Sequence, residues 1–420
     1  MQGPGHERFD TDVCVVGGGP GGLVLALLML RSGARVMVVE RALWHQREYR
    51  GEILQPGAMK LLDDIGVLVG ARARGAREHD RLRLVEGGRV LLNADYRLLP
   101  PPYDHLLSIP QPHVLEELLV HCLRSPGFGY LAGRRVSGLL RGDGGRVAGV
   151  TSDGPFGPCT VRARVVVGAD GRFSRIRRLA GIAADHVPAF DRDLLWFKLV
   201  SERPHSAASA RDVLVFRAGS TPVLVHESWP DRIQFGWTLP HRAYRHLAAR
   251  GLEYVKEELA RAVPPYAALI REQIRSSGDM SLLDVFCARA ERWADEGLVL
   301  IGDAAHTHSP IGGQGINLAI QDAVVLHPLL VDALAAGDLS RARLAAFEER
   351  RSRDIAAVLR LQALQSRSEL PCGPSPAGMW PGLVRVIRRT PLHRTMLRRV
   401  AYGNPSIRVS GAVGARRGRP

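Results

Sequence analysis

The 420-residue chain reads as an α/β fold, and three stretches spaced along it carry that reading. They are residues 11–22 (TDVCVVGGGPGG), 165–177 (VVVGADGRFSRIR) and 298–323 (LVLIGDAAHTHSPIGGQGINLAIQDA). Each is a short apolar run that enters a glycine-rich turn and leaves it at helical spacing. Such a turn brings the free N–H groups of a helix N-terminus to one point, which suits an anion or a polar ring. The stretches lie far apart, so the domain they build is discontinuous, expected over residues 9–74, 105–185 and 281–336.

The first stretch holds G-x-G-x-x-G at Gly17, Gly19 and Gly22, with Pro20 inside it. A helix is expected from Leu23 to Arg31 and a second strand from Ala34 to Val39, ending at Glu40. This is the spacing of a Rossmann-like βαβ dinucleotide unit, with an acid placed for the ribose hydroxyls. Gly17 allows the tight turn, Gly19 the close approach of a pyrophosphate, and Gly22 the packing of helix on strand. The second stretch ends its strand at Asp170-Gly171 and begins a basic helix with Arg172, Arg175 and Arg177; alone, it is equally a surface turn. The third carries Gly302-Asp303, then a Pro/Gly-rich loop from Ser309 to Gly315, then a helix from Ile316.

Between these lie two insertions, residues 75–104 and 186–280. The larger has alternating runs at 194–200, 213–216, 223–227 and 233–239, expected as antiparallel strands of a substrate-covering sheet. Residues 252–274 read as helix broken at Pro264-Pro265, and Gly142–Gly145 as a hairpin turn. Residues 337–420 are expected as a C-terminal helical region with a basic tail; 381–400 alternate apolar and basic residues as an amphipathic helix pair, and 409–420 read as frayed. That basic piece either packs on the body with its arginines in solvent or touches an anionic membrane or an acidic carrier protein.

The net charge of +15 is not read as a nucleic-acid signature. Lysines stand at positions 60, 198 and 256 alone, so the excess is arginine, and it is concentrated after Glu369, beyond which no acid occurs. Five scattered cysteines without C-x-x-C spacing point away from metal and disulfide frameworks, and toward a reducing compartment. Residues 1–10 are polar with no apolar core, so a cytoplasmic location is expected.

Taken in the order GxGxxG, DG, GD, the motifs resemble those of the single-component FAD-dependent aromatic monooxygenases of the para-hydroxybenzoate hydroxylase type. The resemblance runs from about residue 11 to 330. It implies a bound FAD, with NADPH or NADH as transient reductant; the arginines around Asp170 favour NADPH. It implies FAD contacts from Gly17, Gly19, Pro20, Gly22, Glu40 and Arg41. It places Arg50 (in RGEILQ) beside the phosphates, Gln111 (in PQPHVL) on FAD, Asp170 on both dinucleotides and Asp303 on the ribityl chain. Pro310, Gly313, Gln314, Gly315, Ile316 and Asn317 would line the isoalloxazine, with amides stabilising negative charge on the reduced ring. The implied reaction is hydroxylation or epoxidation of an aromatic or polyketide-like molecule by O2, through a flavin C4a-hydroperoxide. No protein nucleophile is required. Pocket candidates are His226, Trp237 and His308, with His306 fixing the loop and Trp293 packing under the strand 298–301. Flavin halogenases share the fold; FGWTLP at 235–240 partly echoes their W-x-W-x-I-P, but the first tryptophan is absent and no pocket lysine is evident, which favours hydroxylation. A monomer and a homodimer are both compatible with the sequence.

Overall fold

The computed structural model describes residues 6–43, 52–155, 157–187, 192–201, 211–217, 221–283, 285–368 and 391–410. The chain runs β1 (Glu7–Val16), α1 (Pro20–Arg31), β2 (Val36–Val39), α2 (Pro56–Asp64), β3 (Arg81–Glu86), β4 (Arg89–Asp95), α3 (Gln111–Leu123) and β5 (Phe128–Leu131). A hairpin of β6 (Arg135–Arg141) and β7 (Val147–Asp153) leads to β8 (Cys159–Gly168) and the short α4 (Arg175–Leu179). Then come β9 (Arg192–Val200), β10 (Asp212–Phe216), β11 (Val223–Ser228), β12 (Arg232–Pro240), α5 (Leu252–Ala262) and α6 (Ala267–Gln273). The chain closes with β13 (Leu298–Leu300), α7 (Gln314–Ala336), α8 (Arg341–Ser368) and α9 (Pro391–Tyr402).

Strands β13, β8, β1, β2 and β5 lie side by side in that order, all parallel. Parallel strands are covered on both faces, which is why Val13–Val16 and Val165–Val167 read as unbroken apolar runs and are almost fully buried. β1 starts earlier than its apolar run because Glu7–Thr11 pair residue for residue with Cys159–Ala163. α7 is long and apolar enough to cross a membrane by length and composition, but most of it is buried in the core. It lies against α1 so closely that a Cβ on Gly21 would sit 2.8 Å from the Ala319 carbonyl oxygen.

The second sheet orders a short strand (Ser281–Leu283), β9, β12, β11, β10, β3 and β4. It departs from the expected all-antiparallel sheet at one junction, where β10 pairs β3 in parallel. The reason is topological: β3 and β10 come from different insertions and no hairpin joins them. One face of this sheet is covered by α5 and α6, through Phe197, Phe235, Trp237, Val255, Leu259 and Ile270. Burial of each such side chain contributes roughly 1.5–3 kcal/mol.

α9 presents Leu397 and Ala401 to Tyr96, Leu99, Leu106 and Val213, while Arg394, Arg398 and Arg399 face solvent. The partner helix expected before it, and most of the expected tail, lie outside the described residues. Val409 is not frayed, since it packs on the main core beside Ile407.

Candidate active site

The first glycine loop is shaped by contacts across motifs. Gly17 has φ of +113°, and a Cβ there would lie 2.3 Å from the Ala169 carbonyl oxygen of the second motif. A Cβ on Gly22 would lie 2.1 Å from the Gly17 carbonyl oxygen. α1 starts after Gly19 with Pro20 in its first turn and no side-chain cap, so its first-turn amides lack intrahelical partners. Glu40 is buried, and its carboxylate accepts from Gly18 N (2.6 Å) and Ala42 N (2.9 Å). It therefore braces the loop. Beside it opens a cavity of about 330 Å³, bounded by Gly17, Glu40, Arg41, Asp170 and Arg175.

Asp170 forms part of that wall, but its carboxylate is committed locally. It accepts from Ser174 Oγ (2.5 Å), Arg175 N (2.6 Å) and Ile176 N (3.1 Å), capping α4. Burial raises its pKa above the ordinary carboxylate value despite these bonds. The second and third motifs are stitched together by arginine. Arg177 Nη1 donates to Ala304 O at 2.9 Å, and Arg172 Nε stands 3.8 Å from Asp303 Oδ2.

The third loop is held from three sides. Gly312 and Gly313 take φ of +74° and +60° at the start of α7, a conformation that favours glycine. Gln55 Nε2 donates to Gly312 O (2.9 Å), Gln55 N donates to Asn317 Oδ1 (2.9 Å), and Asn317 Nδ2 donates to Gly313 O. Tyr96 donates its hydroxyl to Gln55 Oε1, and burial pushes the Tyr96 phenol up to about 12. Gln314 Nε2 donates to Gly312 O and to Val400 O of α9. Thus Gln314 and Asn317, expected on the cofactor, use their side chains to shape the loop. Ile316 is buried, and a Cβ on Gly315 would meet nothing within 4 Å.

Beneath this loop runs a fully buried polar chain. Arg351 Nε donates to Asp322 Oδ1 (2.8 Å), while Asp322 Oδ2 accepts from Gly302 N (2.8 Å) and pairs with His306 Nε2 (2.7 Å). His306 Nδ1 meets His308 Nε2 at 2.8 Å. Burial alone would raise the Asp322 carboxyl, but His306 and Arg351 outweigh it and hold it below the usual carboxylate range. Burial, with His306 beside it, pushes His308 well down, so it stays neutral. His308 therefore supports the loop from below, as His306 does.

The second sheet turns its other face away from α5 and α6. Register places Lys198, Gln234 and His226 directly beside one another on β9, β12 and β11. Lys198 Nζ donates to Glu52 Oε1 (2.6 Å), and Glu52 Oε2 accepts from Ser228 Oγ (3.0 Å). His226 Nδ1 is bonded to Glu227 O (2.9 Å), its ring stands edge-on to His79, and burial lowers its pKa.

Residues 10–362 match the family described as FAD binding domain. Over 406 residues the chain is 54% identical to the 6-methylpretetramide 4-monooxygenase of Streptomyces rimosus, covering 97% of this chain and 96% of that one. It is 30% identical over 363 residues to a 12-dehydrotetracycline 5-monooxygenase/anhydrotetracycline 6-monooxygenase of Streptomyces rimosus subsp. rimosus, covering 83% and 68%. Among solved structures, P. aeruginosa PqsL in complex with 2-aminobenzoylacetate superposes with a TM-score of 0.74 at 25% identity, covering 86% and 97%. The chain belongs to the FAD-dependent monooxygenases.

The residues of the monooxygenase fit that cofactor. The uncapped start of α1, the cavity beside Glu40, and, among the described residues, the open space at Gly315 and the buried, unpartnered Oε1 of Gln111 are each what a bound dinucleotide would use. The structure brings Gly17, Glu40, Arg41 and Asp170 to one cavity, and Asp303 to Arg172. Arg50 lies outside the described residues. Trp237 does not lie on the sheet face that carries His226. It sits on the opposite face beneath α5 and α6, because it shares the phase of Ile233, Phe235 and Leu239. That alternation was visible in the sequence. Lys198, on the face opposite Trp237, is paired with Glu52. Glu52, Gln55, Tyr96, Asp322 and Arg351 went unassigned; Asp322, a lone acid in the apolar start of a helix, was the most visible signal among them.

Proposed function

We propose that this enzyme hydroxylates a polycyclic aromatic polyketide, with 6-methylpretetramide as the first substrate to test. The observation that carries this reading is the likeness to the 6-methylpretetramide 4-monooxygenase over nearly the whole of both chains. FAD, reduced by NAD(P)H, supplies the electrophilic oxygen derived from O2. The chain supplies position and electrostatics. The α1 amides and the cavity at Gly17 and Glu40 hold the adenosine half, and Asp303 the ribityl hydroxyls. The α7 N-terminus carries partial positive charge toward an anionic ring. The sheet face away from α5 and α6 carries Leu194, Trp196 and Leu224 beside one polar row, Lys198, Gln234 and His226, and we read it as the side that meets a flat polyphenol. Enclosure by that face keeps water from the reacting oxygen.

The experiment loads the purified protein with FAD and follows NADPH oxidation with and without 6-methylpretetramide under labelled dioxygen. The expected result is stimulated oxidation and one labelled oxygen in the product, independent of added chloride. Stimulated oxidation that yields only peroxide, or a rate that requires halide, would overturn hydroxylation.

A further inference from the structure

Lys198 stands where packing alone gives no reason for a charge. Its neighbours on the same face of β9 are the apolar Leu194 and Trp196, and Gly236 and Leu224 lie on that face across the sheet. A buried ion pair such as Lys198–Glu52 adds little net stability over apolar residues of the same volume, because desolvation offsets the attraction. The pair is also placed with respect to the flavin loop. Glu52 precedes Ile53, which lies against Gly313, and Gln55 binds Gly312. A second, independent observation stands beside it. Gln234, 2% exposed and in register with Lys198, has an Oε1 with no hydrogen-bond donor among the described residues. The row thus presents a cation with spare N–H donors next to an unsatisfied acceptor. That combination recognises a pair of neighbouring oxygens, one ionised and one protonated.

Building on the proposed polyphenol substrate, we propose that Lys198 is a substrate-contacting residue whose ammonium holds a phenolate or enolate oxygen while Gln234 Oε1 accepts from the adjacent hydroxyl. Glu52 and Ser228 are positioning residues that aim the ammonium. The charged and titratable groups facing Lys198 are Glu52 and His226, with His79 behind His226. Holding the oxygen ionised raises electron density on the ring carbons ortho and para to it, where an electrophilic oxygen attacks.

The test compares FAD-loaded wild type, Lys198→Arg, Lys198→Gln and the double variant Glu52→Gln/Lys198→Gln. Lys198→Gln strands the Glu52 carboxylate; the double variant removes both charges and leaves a neutral amide at each position, so it stays informative where the single one fails to fold. Two readouts are taken from pH 6 to 9: the dissociation constant of 6-methylpretetramide without NADPH, and KM and kcat with it. In wild type, binding tightens as pH rises through the ionisation of the substrate. The double variant binds at least tenfold more weakly with a flat pH dependence, and Lys198→Arg recovers most of both. A double variant that keeps wild-type affinity and the wild-type pH profile overturns the assignment while leaving the proposed function standing. A wild type that neither binds 6-methylpretetramide nor is stimulated by it overturns both.

Discussion

Arg172 Nε lies 3.8 Å from Asp303 Oδ2, joining the second glycine motif to the third. Both side chains keep some solvent contact, so the pair contributes little to folding, about 0–1 kcal/mol. Its consequence is orientation of the Asp303 carboxylate. Arg172→Ala should leave the melting temperature of the apoprotein nearly unchanged and weaken FAD several-fold. Asp303→Asn should weaken it further. Titration of apoprotein with FAD, read by quenching of flavin fluorescence, checks both; equal affinities in all three proteins would remove Asp303 from the cofactor site.

Glycines 17 and 315 separate a folding requirement from a binding requirement. Gly17→Ala forces a Cβ into the Ala169 carbonyl at a φ that disfavours side chains, and should cost about 2 kcal/mol or more. Gly315→Ala meets nothing within 4 Å and favours helix, so the apoprotein should gain up to about 1 kcal/mol. Its affinity for FAD should nevertheless fall at least tenfold, because the methyl enters the space the ring needs. Unchanged affinity would mean that this space is not the cofactor's.

The buried Asp322 ties Gly302, His306 and Arg351 together, so its loss should act on stability and cofactor retention at once. Arg351→Met leaves a buried carboxylate with one fewer partner and should cost about 3–5 kcal/mol. The pH sign follows from the lowered Asp322 pKa. The carboxylate contributes its full stability above the unfolded value of about 3.9, and that contribution drains away as pH falls below it. Asp322→Asn should therefore melt lower than wild type at pH 7, with a smaller gap at pH 3. A constant gap across that range would show that the ionised form is not what stabilises the loop.

Trp237 lies beneath α5 and α6, on the sheet face away from Lys198. Trp237→Phe should lower the melting temperature by a few degrees and leave KM for substrate within twofold. A large rise in KM at unchanged stability would put this side chain back at the substrate.

Reading from sequence succeeded where the physics is local. Strand, glycine turn and helix at residues 11–31 and 298–330 are dictated by neighbours in the chain: apolar runs, residues free to take positive φ, and a proline at the first helical turn. The FAD cradle was legible for that reason, and intact motifs of this kind identify the cofactor without any distance. The structure adds local partners within it: Asp170 also caps α4, and Gln314 also bonds α9.

What the sequence by itself determined is therefore the cofactor and the order of the elements. Tertiary structure decided which side of the second sheet packs beneath α5 and α6 and which side carries Lys198 and His226. A one-residue change of phase sends a strand's side chains to the opposite face, and register depends on partners far away in the chain. His226 and Trp237 parted on that rule. Lys198 and Glu52, 146 residues apart in the chain, met only once β9 was laid against the flavin loop.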